Sequence, residues 1–528
     1  MGRPGSFFSG PQVHSYPALM SAGTIAEIEQ LLNTGRPADA LRSAERLCVK
    51  SRRNVAAWLC AAQAHTMMGN VDGADRALET ASALAPTDDR VRFMGGRVDQ
   101  QLGRMDRSAE RLRAVARGRS PDAREAWMAL CDTLYIANRI QELRDEVARP
   151  VSWSDDLRYA FHAARAHASA DPERSLATFM QVATEAPWPA VRRVAGFDAV
   201  RMLDKAGRYQ EAFALAQRVH ADTGAPFDLE GALGPLRMQH ELLAKGGRWF
   251  EPQADRVEDL AMVIAMPRTG TTLVEQMLDR HPAISGIGEY EGTRLLGDAL
   301  ISAGRDGKGL ARLTRAEANE FQREFLADAR RRKRPGATWM LDKNLRGWRQ
   351  LPAIAAVLPG TRCITVLRDP RDTAISILLS YFNPINDGWT ASLESIRQLM
   401  EARDAILPDA LAALGLPHEV VYYEDLVDAP AENAARCLRM MGLELTDEVL
   451  RPEENTRVAM TLSHAQVQSP INRSSIGRWR NYQCGRSGRN GMLWWRGTNR
   501  AVGEFLAAGR SRGSLVALSE TVLQAHSR

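Results

Sequence analysis

Residues 261–278 read Ala261-Met-Val-Ile-Ala-Met-Pro-Arg-Thr-Gly-Thr-Thr-Leu-Val-Glu-Gln-Met-Leu278. An apolar run here passes through a short polar loop directly into an amphipathic helical pattern, which is the order of a phosphate-binding loop. Backbone N–H groups near Gly270 and the positive end of a helix that begins near Thr271 would attract an anion. We expect Arg268 and the hydroxyls of Thr271 and Thr272 to reach the same anion, so the segment predicts a phosphate site in an α/β domain.

This loop departs from the P-loop of nucleoside triphosphatases, G-x-x-x-x-G-K-[ST]. Ala265 stands at the first glycine position and Thr271 at the lysine position, so a triphosphatase would lack its phosphate-binding lysine. The six residues 267–272 instead resemble the P-R-[ST]-G-T-T loop of sulfotransferases. In that family the loop binds the 5′ end of the sulfuryl donor 3′-phosphoadenosine 5′-phosphosulfate (PAPS). The resemblance therefore implies that the donor is bound by Arg268, Thr269, Gly270, Thr271 and Thr272.

A second segment repeats the layout about a hundred residues later and reads Arg362-Cys-Ile-Thr-Val-Leu-Arg-Asp-Pro-Arg-Asp-Thr-Ala-Ile-Ser-Ile-Leu-Leu379. An apolar strand would end at Arg368, a turn would follow at Pro370, and the next helix would carry Ser376. An arginine and a serine placed in this way can converge on one phosphate. The segment resembles the 3′-phosphate site of sulfotransferases, which distinguishes PAPS from ATP. Taken singly, R-D-P-R-D also fits a solvated turn, and the paired order of two phosphate sites favours the donor.

Two segments between these loops resemble catalytic positions of the family. Glu289 falls where tyrosylprotein sulfotransferases carry their general base, and Glu291 is the alternative if the loop is shifted. Lys343 lies in Trp339-Met-Leu-Asp-Lys-Asn-Leu345, which resembles the family's D-K-x-P segment with leucine in place of proline. The resemblance implies that Glu289 accepts the proton of an acceptor hydroxyl and that Lys343 stabilises charge on the leaving-group oxygen.

A last segment, 461–482, is similar to a motif at the end of sulfotransferase domains that are joined to tetratricopeptide repeats. That motif reads T-x-S-x-x-Q-V-x-x-P-I…S-x-G-R-W…Y. This resemblance implies that Ser463 lies near the sulfuryl group and that Arg478 reaches the 5′-phosphate. A serine in a loop also fits an ordinary turn, and an arginine before Trp479 also fits stacking on the indole. The segment 422–426 is interpreted as structural, a strand that ends in a helix-capping acid.

The first half of the chain is rich in alanine and repeats at intervals of thirty-four residues, the tetratricopeptide period. The turn motifs begin at this interval at Gly35, Gly69, Gly103 and Ala137, and the pattern resumes later at Gly207. Each turn would join two antiparallel helices, and stacked helix pairs would share a continuous core. We expect an α-solenoid with irregular repeats between Pro150 and Pro189, and a generic helical bundle is the alternative.

These patterns predict a two-part architecture. We expect an N-terminal all-α tetratricopeptide-like solenoid at 22–235, an α/β three-layer P-loop-like sulfotransferase domain with a parallel sheet at 257–497, and a C-terminal helical tail at 498–528. The ligand loops should lie at the carboxyl ends of the strands. The predicted parallel strands lie near 262–265, 338–341, 363–367 and 419–423.

Composition and charge limit the other classes of function. The net charge of +5 is small for 528 residues and argues against a nucleic-acid partner, so the basic run 330–334 is interpreted as a solvated helix end. No window approaches eighteen apolar residues without charge, which predicts no membrane span. No metal site is expected, and unpaired cysteines with no signal peptide predict a cytoplasmic protein. The six cysteines are Cys48, Cys60, Cys131, Cys363, Cys437 and Cys484.

The resemblance implies a PAPS-dependent sulfotransferase. It would transfer a sulfuryl group to a hydroxyl by in-line displacement and release 3′-phosphoadenosine 5′-phosphate (PAP), with no metal. Protein tyrosine, carbohydrate and small phenols all remain open as acceptors. The solenoid groove would suit a protein or peptide partner, self-association or bracing of the transferase domain. The alternatives are a nucleotide-dependent kinase or ATPase, and a non-catalytic tetratricopeptide scaffold with a degenerate nucleotide-binding domain.

Overall fold

The computed structural model describes residues 24–245, 247–404, 407–455, 457 and 470–482. Ser463 and the predicted tail at 498–528 lie outside these residues. Within the described ranges, thirteen helices precede a five-stranded sheet that is flanked by further helices. The chain therefore has the helical first half and the α/β second half that the sequence predicts.

The helices of the first half pack consecutively from the first to the twelfth, as expected of a helical repeat solenoid. These helices are α1 (Ile25–Asn33), α2 (Pro37–Lys50), α3 (Val55–Met67), α4 (Val71–Leu84), α5 (Asp89–Gln101), α6 (Met105–Ala116), α7 (Ala123–Ile136), α8 (Ile140–Val147), α9 (Leu157–His167), α10 (Pro172–Glu185), α11 (Pro189–Lys205), α12 (Tyr209–Thr223) and α13 (Leu229–Ala244).

The predicted repeat turns are confirmed by their backbone conformation. A left-handed residue closes the connection within five helix pairs, where glycine has no steric cost and asparagine a small one. The residues concerned, with φ in degrees, are Gly35 (71), Gly69 (71), Gly103 (74), Asn138 (58) and Gly207 (74). Between 150 and 189 the pairing continues through α9 and α10, but none of the described residues 168–171 that join them is left-handed.

The sheet of the second half is wholly parallel, with strand order β2-β3-β1-β4-β5. Its strands are β1 (Leu260–Ile264), β2 (Ile284–Gly288), β3 (Trp339–Asn344), β4 (Arg362–Leu367) and β5 (His418–Tyr422). The helices of this half are α14 (Thr271–Asp279), α15 (Gly292–Ser302), α16 (Arg315–Arg332), α17 (Leu351–Val357), α18 (Pro370–Leu378), α19 (Pro384–Asp387), α20 (Leu393–Asp404), α21 (Leu407–Ala413), α22 (Tyr423–Asp428) and α23 (Pro430–Met440).

The side chains of β1 point alternately into two hydrophobic cores, one on each face of the sheet. Leu260 and Met262 enter one core, which contains residues of α16, α17 and α20, whereas Ala261 and Val263 enter a second core against α14 and α23. Successive side chains of a strand point to opposite faces, so a strand that is apolar throughout is covered on both sides. The sheet is therefore the middle layer between two layers of helices.

Four of the five strands lie where the sequence predicts them, and β2 was missed. The segment of β2 reads Ile-Ser-Gly-Ile-Gly, and glycine is unfavourable in strands. This strand lies at the edge of the sheet and pairs only with β3, from which it is separated by about fifty residues. Its formation depends on that long-range partner and leaves little local signal.

The solenoid packs against the α/β half through charged residues. Asp72 of α4 accepts hydrogen bonds of 2.9 and 2.7 Å from Arg332, whose side chain is only 16% exposed. Arg331 pairs with Glu79 at 3.2 Å. The interpretation of 330–334 as a solvated helix end is therefore wrong for Arg332, because Asp72 of α4 lies against the end of α16, whereas Arg331 remains exposed.

Helix α13 crosses the predicted end of the solenoid at residue 235. Its residues Leu233 and Leu236 pack into one core of the α/β half, together with Phe250 and Leu414. No helix of the described part is long and apolar enough to cross a membrane. The same part contains no group of three or more metal-ligating side chains, and its five cysteines are all buried and unpaired.

Candidate functional site

The loop after β1 has a backbone that depends on one glycine. Gly270 lies at φ +103°, and a Cβ atom placed there would come within 2.4 Å of the Tyr423 ring. Glycine is thus required both by conformation and by space. Two residues earlier, Arg268 also adopts a left-handed φ of +68°, which is unusual for a long side chain, and such strained residues cluster at functional sites.

The two predicted phosphate sites meet through direct hydrogen bonds. Nε of Arg268 donates to Oγ of Ser376 at 2.9 Å, and Arg368 donates from Nη1 to the backbone oxygen of Arg268 at 2.8 Å. The guanidinium of Arg368 also lies over the Tyr423 ring, 4.7 Å from its centre. Parallel strands β1 and β4 are neighbours, so both loops leave the same edge of the sheet and place these groups together.

The electrostatics of this cluster favour an anion. Burial, together with the neighbouring guanidiniums of Arg368 and Arg478, lowers the pKa of Arg268 to about 10. Nε of Arg368 is buried and has no hydrogen-bond partner among the described residues. Buried donors are normally paired, and crowded cations repel one another. A phosphate group placed among these side chains would satisfy the buried donor and offset the repulsion.

The threonines of the loop have different positions. Thr271 and Thr272 begin α14 and line a cavity of about 1100 Å³. The hydroxyl of Thr269 instead donates to the backbone oxygen of Met266 at 2.9 Å. The Thr269 side chain therefore supports the turn, and its contribution to an anion site would come from the backbone N–H.

The candidate acid–base pair is in direct contact. Nζ of Lys343, at the end of β3, donates to Oε1 of Glu289 at 2.5 Å. The Lys343 side chain is 1% exposed and that of Glu289 is 43% exposed, so the carboxylate faces the cavity while the ammonium lies beneath it. Glu291, the alternative base, lines the same cavity but pairs with Arg294 at 2.7 Å.

The buried carboxylate of Asp342 stabilises the backbone next to Glu289. Asp342 accepts hydrogen bonds of 3.2 Å from the backbone N–H of Tyr290 and from Nδ2 of Asn344. Complete burial raises the pKa of Asp342 to about 7, although both hydrogen bonds act in the opposite direction. Because Tyr290 follows Glu289 directly, Asp342 helps to fix the chain that carries the candidate base.

The described part of the last predicted segment also reaches the cavity. Asp372 of α18 accepts hydrogen bonds from the backbone N–H groups of Gly477 at 2.6 Å and Trp479 at 2.8 Å. The guanidinium of Arg371 lies over the Trp479 ring at 4.1 Å. These contacts hold the segment beside α18, and Arg478 lines the same cavity as Arg268.

Eight of the eleven predicted site residues line this cavity. They are Arg268, Thr271, Thr272, Glu289, Lys343, Arg368, Ser376 and Arg478. Thr269 and Gly270 contribute to the loop behind it, and Ser463 is outside the described residues. The predicted residues from five separate segments are thus brought together, except for the serine whose position is not described.

Two groups of residues in and beside the cavity were missed by sequence reasoning. Tyr423 contacts both Gly270 and Arg368, although its segment was interpreted only as a capped strand end. The second group belongs to the solenoid, whose side chains form one wall of the cavity. This wall includes Asp132, Tyr135, Asp198, Arg201 and Asp204. None of these residues lies in a motif, since their role depends on how the two halves pack.

The α/β half is similar to known proteins. Residues 261–447 match the model of the sulfotransferase family, Sulfotransfer_3. The chain is similar to protein-tyrosine sulfotransferase 1 of Danio rerio, with 26% identity over 246 residues that cover 42% of this chain and 65% of that protein. It is also similar to protein-tyrosine sulfotransferase 2 of Gallus gallus, with 23% identity over 266 residues that cover 45% and 68%.

The chain therefore spans less than two thirds of the length of the Danio rerio protein. Among solved structures, the sulfotransferase domain of the Synechococcus PCC 7002 olefin synthase is 18% identical, with a TM-score of 0.36. That similarity covers 48% of this chain and 98% of the domain. Residues 261–447 of this chain form a domain of the sulfotransferase family.

Proposed function

We propose that this protein transfers a sulfuryl group from PAPS to a hydroxyl acceptor and releases PAP. The observation that carries the proposal is the shared cavity, in which the Glu289–Lys343 pair faces a cluster of three arginines. The cluster provides the charge needed for a donor with two separate phosphate positions. The pair provides a proton acceptor and a cation beside it.

The donor would be held by two groups of residues. Arg268, Arg478 and the N–H groups at the start of α14 would bind the 5′-phosphosulfate. Arg368 and Ser376 would bind the 3′-phosphate, and the unpartnered Nε of Arg368 supports a ligand at that point. When bound, PAPS supplies an activated sulfuryl group whose sulfur–oxygen bond to the 5′-phosphate breaks as PAP leaves.

The chain's own residues would act by proton transfer and charge stabilisation. Glu289 would accept the proton of the acceptor hydroxyl as the new oxygen–sulfur bond forms, a contribution of about 10²- to 10⁴-fold in rate. Lys343 orients the Glu289 carboxylate and would donate to the bridging oxygen on which negative charge grows. Because the side chain of Lys343 is buried, water competes little for this cation.

The relatives suggest which hydroxyl to try first. The proteins from Danio rerio and Gallus gallus are named as protein-tyrosine sulfotransferases. We therefore propose a phenolic hydroxyl as the first acceptor class to examine, with carbohydrate hydroxyls as the second. We further propose that the solenoid at 22–235 consists of tetratricopeptide repeats, that 257–497 is the transferase domain, and that the protein acts in the cytoplasm.

Binding of PAP by isothermal titration calorimetry tests the donor site directly. We expect PAP to bind more tightly than ATP, because ATP has no 3′-phosphate for Arg368. The variants Arg268→Ala and Arg368→Ala should each lose affinity for PAP while keeping the wild-type circular dichroism spectrum. A folded wild-type protein that binds ATP but not PAP would favour a kinase or ATPase, and one that binds neither would favour the scaffold.

A further inference from the structure

One carboxylate of the solenoid reaches the donor side of the cavity. Asp204, near the end of α11, accepts hydrogen bonds from Nη2 of Arg478 at 2.6 Å to Oδ1 and 2.5 Å to Oδ2. The hydroxyl of Tyr482 donates to the same Oδ1 atom. Asp204 is separated from Arg478 by 274 residues, so this contact joins the solenoid to the end of the described transferase segment.

Arg478 needs such a counter-ion. Its guanidinium is one of three near the phosphate loop, and repulsion from Arg368 and Arg478 contributes to the lowered pKa of Arg268. In the part of the chain that the structure describes, Asp204 supplies the carboxylate within ion-pair distance of Arg478. The other arginines are held differently: Arg268 donates to Ser376, and Arg368 donates to backbone oxygen atoms.

The short 3₁₀ segment Arg478–Tyr482 is held between the two halves of the molecule. On one side, α18 binds its backbone through Asp372. On the other side, the Tyr482 ring packs edge-on against Tyr209 of α12, with 5.3 Å between ring centres. The backbone of the segment is thus fixed by both halves, but the direction of the Arg478 guanidinium is set by the solenoid carboxylate.

We propose that Asp204 is a positioning residue of the donor site, through which the solenoid holds Arg478 in place to bind the 5′-phosphate. This inference rests on the proposed function. Without the carboxylate, repulsion within the cluster would move the Arg478 guanidinium toward solvent, and ligand binding would have to bring it back. A partner that pre-orients a binding group contributes affinity without touching the ligand.

The test measures affinities for PAP and for adenosine 3′-phosphate by calorimetry. The proteins are wild type, Asp204→Ala, Arg478→Ala and the double variant. We expect Asp204→Ala to weaken PAP binding about tenfold, as expected when a supporting partner is removed. Affinity for adenosine 3′-phosphate should stay at the wild-type value, because that ligand lacks the group that Arg478 would bind. In the Arg478→Ala background, removal of Asp204 should have no further effect.

The matched control breaks a different ion pair between the same two halves. Arg76 of α4 pairs with Asp328 of α16, and neither residue lines the cavity. Arg76→Gln should therefore leave both affinities unchanged. If Asp204→Ala fails to fold, Asp204→Asn provides the test, since it keeps the shape of the side chain and removes only its charge.

Three results would overturn the inference while leaving the proposed function intact. The first is wild-type or tighter PAP binding by the folded Asp204 variants. The second is an equal loss for PAP and adenosine 3′-phosphate, which would indicate general damage. The third is a full additional loss in the Arg478→Ala background. Wild-type protein that binds neither nucleotide would instead overturn the proposed function and this inference together.

Discussion

Nζ of Lys343 lies 2.5 Å from Oε1 of Glu289 and joins the ends of strands β3 and β2. The lysine side chain is almost fully buried, whereas the glutamate side chain is 43% exposed to the cavity. The pair therefore has a buried, fixed ammonium on the protein side and an accessible carboxylate on the cavity side. A carboxylate held in this way would be oriented toward an acceptor hydroxyl in the cavity and would remain accessible to it.

The first prediction concerns the base. Glu289→Gln keeps the size of the side chain and its contact with Lys343 but cannot accept a proton from the acceptor. We expect kcat to fall by about 10²- to 10⁴-fold, with PAP affinity close to wild type. The measurement is transfer of radiolabelled sulfuryl groups from PAPS to a phenolic acceptor, alongside calorimetry with PAP.

The matched control for the base is Glu291→Gln. Glu291 lines the same cavity but is paired with Arg294, so its loss should change kcat by less than tenfold. If the two variants show the opposite order, Glu291 is the base and the assignment of Glu289 is wrong.

The second prediction concerns Lys343. Lys343→Met keeps a long apolar stem in the buried position and removes the cation beside Glu289. Loss of a preorganised charge at the reacting oxygen should lower kcat by about 10²- to 10³-fold. Single-turnover kinetics with saturating PAPS would isolate this step from donor binding. Unchanged single-turnover rates in a folded variant would show that Lys343 has a structural role alone.

The third prediction concerns the phosphate loop. Gly270→Ala places a methyl group in a left-handed residue and against the Tyr423 ring, 2.4 Å from its nearest atom. Relieving this clash requires movement of the loop or of the ring that supports Arg368. We expect a stability loss of about 1–3 kcal/mol and a marked loss of PAP affinity. Urea unfolding and calorimetry measure the two effects.

The chain offers a control of the same chemistry in helix α13. Gly234 lies inside that helix, just before Pro235, and a Cβ atom there would meet no residue of another element within 4 Å. Gly234→Ala should leave PAP affinity unchanged and change stability by less than about 1 kcal/mol, because the better helix propensity of alanine is opposed by Pro235, which disfavours a helical residue with a Cβ atom immediately before it. Equal behaviour of the two alanine variants would contradict the steric argument for the loop.

Much of the candidate donor site could be predicted because local sequence determines it. The loop 267–272 and the turn at Pro370 each follow an apolar strand and precede a helix, and this order places both at one edge of a parallel sheet. The repeat turns were equally local, since a left-handed residue at Gly35 or Gly69 closes a helix pair without reference to the rest of the chain.

The solenoid wall of the cavity could not be predicted in this way. Asp204 and Arg478 belong to different halves, and neither the period of the helices nor the loop motifs specifies that they meet. The same holds for Asp72 and Arg332, which form an ion pair over 260 residues of sequence. Contacts of this kind depend on how the two folded halves pack together, so patterns within a single sequence cannot predict them.

The last prediction concerns pH. Burial raises the pKa of Asp342 to about 7 from its ordinary value of 3.8, so the folded protein holds a proton there that the unfolded chain has already lost. Between pH 4 and pH 7 the folded state binds more protons than the unfolded state at this group, and the contribution of Asp342 to stability must fall as pH rises. Above pH 7 the carboxylate is ionised in both states, and the full cost of its burial is present.

Asp342→Asn removes this titration and keeps an oxygen that can accept from the backbone N–H of Tyr290. Other carboxylates also titrate in this range, so the informative quantity is the difference in unfolding free energy between the variant and wild type. We expect urea unfolding to show that the variant gains stability relative to wild type as pH rises from 5 to 8. A difference that stays constant over this range would show that Asp342 is already ionised in the folded protein at pH 5. In that case the hydrogen bonds from Tyr290 and Asn344 would outweigh the effect of burial.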